Sequence, residues 1–158
     1  MSSPRGQGQS LNEIDVPALA GRIAAAVRGA VVDPRPSDNF FIEDVFPADI
    51  YAQMLARLPG AEALDFIEHP DAATKIATLQ FYLPKDLSQT HLGTTFHDRS
   101  EDGFVELKTN PFRPNSAYGF VRTDRSWHSV KELGAHEAVR NTIALTVYHQ
   151  GLQYRSAM

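Results

Sequence analysis

His69-Pro70-Asp71 sets an imidazole and a carboxylate two residues apart. In extended backbone, residues at that spacing project to one face, so the two groups can converge on a single ion. A third ligand must then come from elsewhere in the chain, and His128, inside the strand-like run Ser126 to Val130, is the best candidate. Two imidazoles and one carboxylate occupy one side of an octahedral iron(II) and leave the other side open. The chain has no cysteine, which excludes disulfides, thiolate zinc sites and cysteine nucleophiles, so any metal falls to His, Asp or Glu. His91 and His97 lie in a turn-rich stretch around Gly93 with no third partner and read as solvated loop histidines. His136 and His149 belong to no constellation.

The elements that must position these groups follow from composition and periodicity. A chain of 158 residues, 42% of them hydrophobic, fits one domain around one core. Its formal charge of -4, from 15 basic and 19 acidic residues without long runs, offers no footprint for nucleic acid or an anionic membrane and favours a small-molecule or peptide partner. No stretch approaches the roughly 18 apolar residues of a membrane span, and the N-terminus has no apolar signal core, so the expected location is cytoplasmic. Residues 1–12, rich in Ser, Gly and Gln, read as a disordered leader before a single domain over 13–158.

That domain divides into a helical part, 13–60, and a β part, 61–150. Asp15 caps a first helix with Pro17 in its opening turn and Leu19, Ile23, Ala26 and Val27 on one face before Gly29 ends it. Asn39 to Ile42 is a short strand. Pro47 opens a second helix carrying Ile50, Met54, Leu55 and Leu58, which Pro59-Gly60 ends. From there the texture changes to short β-like runs between turn residues. Lys75 to Leu83 alternates Lys75, Ala77, Leu79, Phe81 and Leu83 against Ile76, Thr78, Gln80 and Tyr82. Further strands are expected over Gly103 to Thr109, Ala117 to Arg122, Ser126 to Val130 and Val139 to His149. Short strands at this spacing favour a sandwich or barrel over a parallel α/β sheet.

The motifs occur in a particular order. His69-Pro-Asp71 is followed by Lys75-Ile-Ala-Thr-Leu-Gln-Phe-Tyr-Leu-Pro84, then Gly93-Thr94, then the segment from Pro114 through Trp127-His128, then Arg140-Asn-Thr-Ile-Ala-Leu-Thr-Val-Tyr148. This succession, over about residues 66–149, resembles the prolyl-hydroxylase-like branch of the Fe(II)- and 2-oxoglutarate-dependent oxygenases. The resemblance implies a mainly β domain with N-terminal helices, folded as a double-stranded β-helix (jelly roll), with Fe(II) on His69, Asp71 and His128. It implies 2-oxoglutarate as cosubstrate, ascorbate as reductant and Arg140 as anchor of the distal carboxylate, a role suited to a planar guanidinium. Thr142, two residues on, would add a hydroxyl, and Tyr82 is a candidate phenol donor, its alternative being a core tyrosine with a satisfied hydroxyl.

The chain departs from the family in one respect. Only residues 60–68 separate the second helix from His69, where family members carry a longer segment that supplies early barrel strands. The jelly roll is therefore expected to be incomplete, as a minimal oxygenase or as a shortened, non-catalytic barrel. The latter would serve as an interaction or dimerisation module, a homodimer built on the exposed barrel edge. A cupin-like metal protein is a third reading, against which stands the absence of a His-x-His pair with a nearby Glu.

Overall fold

The computed structural model describes residues 14–58, 74–134 and 139–149. Within them are two helices, α1 (Val16–Gly29) and α2 (Ala48–Ala56), and seven strands: β1 (Asn39–Ile42), β2 (Lys75–Tyr82), β3 (Thr94–Ser100), β4 (Gly103–Asn110), β5 (Ser116–Val121), β6 (His128–Val130) and β7 (Thr142–Tyr148). The leader over 1–12 and the segment 60–68 lie outside the described residues, as do His69 and Asp71. No helix among the described residues is long and apolar enough to cross a membrane.

All pairing is antiparallel, in a four-stranded sheet of order β1-β5-β2-β7 and a three-stranded sheet of order β4-β3-β6. Among the described residues the two sheets do not close into a barrel. The strand expected over Asn39 to Ile42, between the two helices, forms as β1 and joins the larger sheet beside β5.

Alternation divides the larger sheet's side chains between two cores. On the outer face, Phe81, Leu83 and Ala117 meet Val45, Phe46 and Tyr51, and Leu19 and Ile23 of α1 with Ile50, Met54 and Leu55 of α2 cover them. Asp15 caps α1 by accepting from the Ala18 N–H at 3.0 Å, leaving the apolar stripe free to pack. Tyr51 ties α2 down by donating to the Pro84 carbonyl at 2.6 Å. Asn115, in the left-handed region at φ 54, presents its amide edge to Phe46, accepting from its N–H and donating to its carbonyl, both at 2.9 Å.

The inner face packs Tyr82, Tyr118 and Phe120 against Leu92, Phe96 and Phe112, so one aromatic cluster joins the two sheets. Most of its rings meet edge-on or tilted, as between Tyr82 and Phe112 at 4.8 Å and Phe96 and Phe120 at 5.8 Å, while Tyr118 and Phe120 stack at 6.1 Å; such pairs are worth about 0.5–1.5 kcal/mol each beyond burial.

Four expectations from the sequence change. The stretch holding His97 is strand β3, with His97 bonded to Ser129 Oγ at 2.7 Å and ringed by Phe104. The threonines there pair with β4, an arrangement that local turn signals could not show. Lys75 does not share the face of Ala77, Leu79 and Phe81: a register shift between Lys75 and Ala77 carries its ammonium over the inner-face Phe120 ring at 5.6 Å. The strand at His128 is three residues long because Thr123 and Ser126 close a turn just before it. Helix α2 ends at Ala56, short of Leu58, and Pro47 is its N-cap.

Gly93 starts β3 at a point of backbone contact. A Cβ there would lie 1.6 Å from the Asn110 carbonyl oxygen. Gly93→Ala must therefore separate β3 from β4, at an expected cost of about 3 kcal/mol or more in urea unfolding. A loss under about 0.5 kcal/mol would mean that this contact does not constrain the strand pair.

Candidate functional site

Arg140 sits just ahead of β7, and its backbone is held on both sides. Gln89 Nε2 donates to the Val139 carbonyl at 3.1 Å, and the Leu83 N–H donates to the Asn141 carbonyl at 3.0 Å. The half-buried side chain turns inward between the sheets. Its Nε donates to the Leu92 carbonyl at 2.7 Å and its Nη2 reaches Thr94 Oγ1 at 3.3 Å. The guanidinium lies over the Phe112 and Tyr82 rings at 5.1 and 5.3 Å. Among the described residues no carboxylate pairs with it. An arginine held by carbonyl and hydroxyl groups against aromatic faces keeps its charge uncompensated and its remaining donors available to an anion.

Tyr82 is fully buried, and its phenol exchanges two hydrogen bonds with one residue. It donates to Thr94 Oγ1 at 2.8 Å and accepts from the Thr94 N–H at 2.9 Å. Burial pushes its pKa above the usual phenol value, against the opposing pull of the Thr94 bonds and the Arg140 charge. In this arrangement the phenol proton goes to Thr94, as in the core-tyrosine alternative. Thr94, fully buried, is the node the sequence did not single out: it joins Tyr82 of the larger sheet and Arg140 to the smaller sheet. Gly93-Thr94 stood in the motif succession, but only the fold shows what its hydroxyl holds.

Thr142 is the cross-strand partner of Tyr82 and accepts a hydrogen bond from Gln80 Nε2 at 2.8 Å. Gln80 Oε1 in turn accepts from the Tyr118 hydroxyl. Gln80 and Tyr118 were likewise not singled out as site residues. Nearby, the buried Thr78 Oγ1 and Asn110 Nδ2 have no hydrogen-bond partner among the described residues. Native interiors leave few such groups, so their presence on faces lining the inter-sheet space marks it as a place for water or a polar ligand.

His128 stands at the other end of this space. Its half-buried ring packs on Phe120 at 4.7 Å and Phe96 at 6.3 Å, and Nδ1 lies 2.9 Å from the Ser126 carbonyl. A carbonyl accepts only, so that contact puts the ring proton on Nδ1 and leaves the Nε2 lone pair for another partner. Trp127 points to the opposite side, packing at a tilt on Phe104 at 5.1 Å beneath Arg99. Of the three expected metal ligands only His128 is described, and no group of three His, Asp or Glu side chains capable of holding a metal forms among the described residues.

Arg140, Thr142, Tyr82 and His128 thus stand on faces turned toward the interval between the sheets, and Thr94 joins Tyr82 to Arg140 by hydrogen bonds. Thr94→Val removes the acceptor of the buried Tyr82 phenol and of the half-buried Arg140 guanidinium and is expected to cost about 1–3 kcal/mol of stability, whereas Thr94→Ser keeps the hydroxyl and most of the stability. A larger loss in Thr94→Ser than in Thr94→Val in urea unfolding would assign the effect to the methyl group instead. No family model, no curated protein and no solved structure matches this chain.

Proposed function

We propose that this chain is an Fe(II)- and 2-oxoglutarate-dependent dioxygenase that hydroxylates a small-molecule or peptide substrate. The observation that carries the reading is that His128 and Arg140, from different elements, both meet strand β3. His128 pairs with Phe96 of β3, and the Arg140 guanidinium bonds Thr94, two residues away on the same inner face. Two residues of strand span about 7 Å, the scale of an extended five-carbon diacid reaching from a metal to a guanidinium.

The donor chemistry fits both groups. A histidine whose Nδ1–H is fixed on a carbonyl offers Nε2 as a neutral ligand, the common orientation of metal-bound imidazole. Arg140 offers a charge uncompensated by any described carboxylate, against two aromatic faces that lower the local dielectric. Sheet order supports the jelly-roll form of the reading. In an eight-stranded jelly roll, β7-β2-β5 and β6-β3-β4 would be strands eight, three, six and seven, four, five, with the first two strands belonging beside β7 and β6.

His128 would hold the iron with His69 and Asp71, while Arg140 and Thr142 would hold the far carboxylate of the 2-oxo acid. Iron and cosubstrate supply the oxidising chemistry, in which 2-oxoglutarate and dioxygen become succinate and carbon dioxide as one oxygen atom enters a C–H bond. The chain's own residues orient and exclude: Tyr82, Phe112 and Phe96 keep bulk water from the carboxylate end, and Thr94 holds the guanidinium in place.

A second reading rests on β7. Ile143, Leu145 and Val147 are 46, 57 and 49% exposed on the outer face of this edge strand, which carries no charged residue. Such an edge suits an interaction or dimerisation module.

Incubated with Fe(II), ascorbate and 2-oxoglutarate, the protein is expected to release succinate above the level of His128→Ala. No difference between the two, with iron bound to the wild-type protein, would remove the oxygenase reading and leave the module. Arg140→Ala is expected to weaken 2-oxoglutarate binding about 10- to 100-fold while iron stays bound. Unchanged cosubstrate affinity would take Arg140 out of the site.

A further inference from the structure

The hydrogen bonds at Thr142 have a direction. A phenol donates readily, an amide oxygen only accepts and an amide NH₂ only donates. Tyr118 gives its proton to Gln80 Oε1, and Gln80 Nε2 gives one to Thr142 Oγ1. Thr142 is the acceptor in that bond, and among the described residues its own hydroxyl proton has no acceptor. That hydroxyl belongs to the cross-strand partner of Tyr82, whose ring lies under the Arg140 guanidinium.

We infer that Gln80 is a positioning residue: by donating to Thr142 Oγ1 it fixes the Thr142 hydroxyl as a donor toward the carboxylate that Arg140 holds. The inference rests on the oxygenase reading for the identity of that carboxylate. Neither Gln80 nor Tyr118 need touch the ligand. Their contribution is polarity, because a hydroxyl that could turn either way would otherwise divide its proton between the ligand and its neighbours. Fixing it in advance removes that reorganisation from binding. A carboxylate in place of the Gln80 amide would do the reverse, accepting from Tyr118 and Thr142 alike and drawing the Thr142 proton away from the ligand.

The test compares two 2-oxo acids in anaerobic titrations of the Fe(II)-loaded protein. 2-Oxoglutarate has the distal carboxylate, and pyruvate has the same chelating end without it. Gln80→Leu is expected to raise the Kd of 2-oxoglutarate about 5- to 10-fold and leave that of pyruvate unchanged. Thr142→Val should show the same selectivity, and the double variant should bind no more weakly than Thr142→Val alone, as for two residues acting through one group. Gln80→Glu, of the same shape as the native residue, should lose at least as much affinity as Gln80→Leu, and it carries the comparison if Gln80→Leu does not fold. Unchanged 2-oxoglutarate affinity in Gln80→Leu, equal loss of both acids, or losses that multiply in the double variant would each overturn the relay while leaving the oxygenase reading intact. Failure of the wild-type protein to bind either acid would instead remove the oxygenase reading, and the relay with it.

Discussion

Tyr82 and Thr94 exchange two hydrogen bonds across the gap between the sheets, and the rest of the interior is arranged around that joint. Each residue is fully buried, one at the end of β2 and the other at the start of β3. Packing alone would let two sheets slide over one another at modest cost, because dispersion is weakly directional. A phenol that both donates to and accepts from one threonine sets their separation and register. Gly93 permits the joint by letting β3 approach the Asn110 carbonyl more closely than any side chain allows.

With the joint in place, Arg140 acquires its unusual environment. Its guanidinium rests on two aromatic faces and bonds a carbonyl and a hydroxyl. None of those partners carries a charge. Desolvating an arginine is costly where, as among the described residues here, no carboxylate pairs with it, and the ring faces and oxygen atoms offset only part of that cost. The remaining attraction is what an incoming carboxylate would meet. Thr142, Gln80 and Tyr118 extend the polar lining away from the guanidinium, while Phe96 and Phe120 carry the apolar lining toward His128.

The two sheets are not equally finished at their margins. At one edge of the larger sheet β1 covers β5, and the Asn115 amide and Val45 backbone continue the pairing beyond it. At the opposite edges, β7 and β6 have no further strand among the described residues. The helices cover Phe81 and Leu79 but leave the neighbouring Ile143 and Leu145 exposed, although these residues are paired across the same face. Both open edges flank the space that holds Arg140 and His128, so whatever pairs there also walls the site.

Local sequence determined a good deal. The Asp15 cap and apolar stripe specified α1, the alternation from Ala77 to Tyr82 specified both faces of β2, and Asn39 to Ile42 was legible as a strand. These signals depend on neighbours within a turn or a pleat, which is why they survive without coordinates. Residue chemistry made His128 and Arg140 candidates, since few side chains can ligate a metal or grip a carboxylate. Tertiary structure alone decided that β3 is a strand, that Lys75 turns to the inner face through a bulge, that Thr94 bonds Arg140, and that Gln80 and Tyr118 are linked to Thr142. Each depends on pairing between residues distant in sequence, and a hydroxyl or an amide carries no local sign of which distant partner will claim its hydrogen bond.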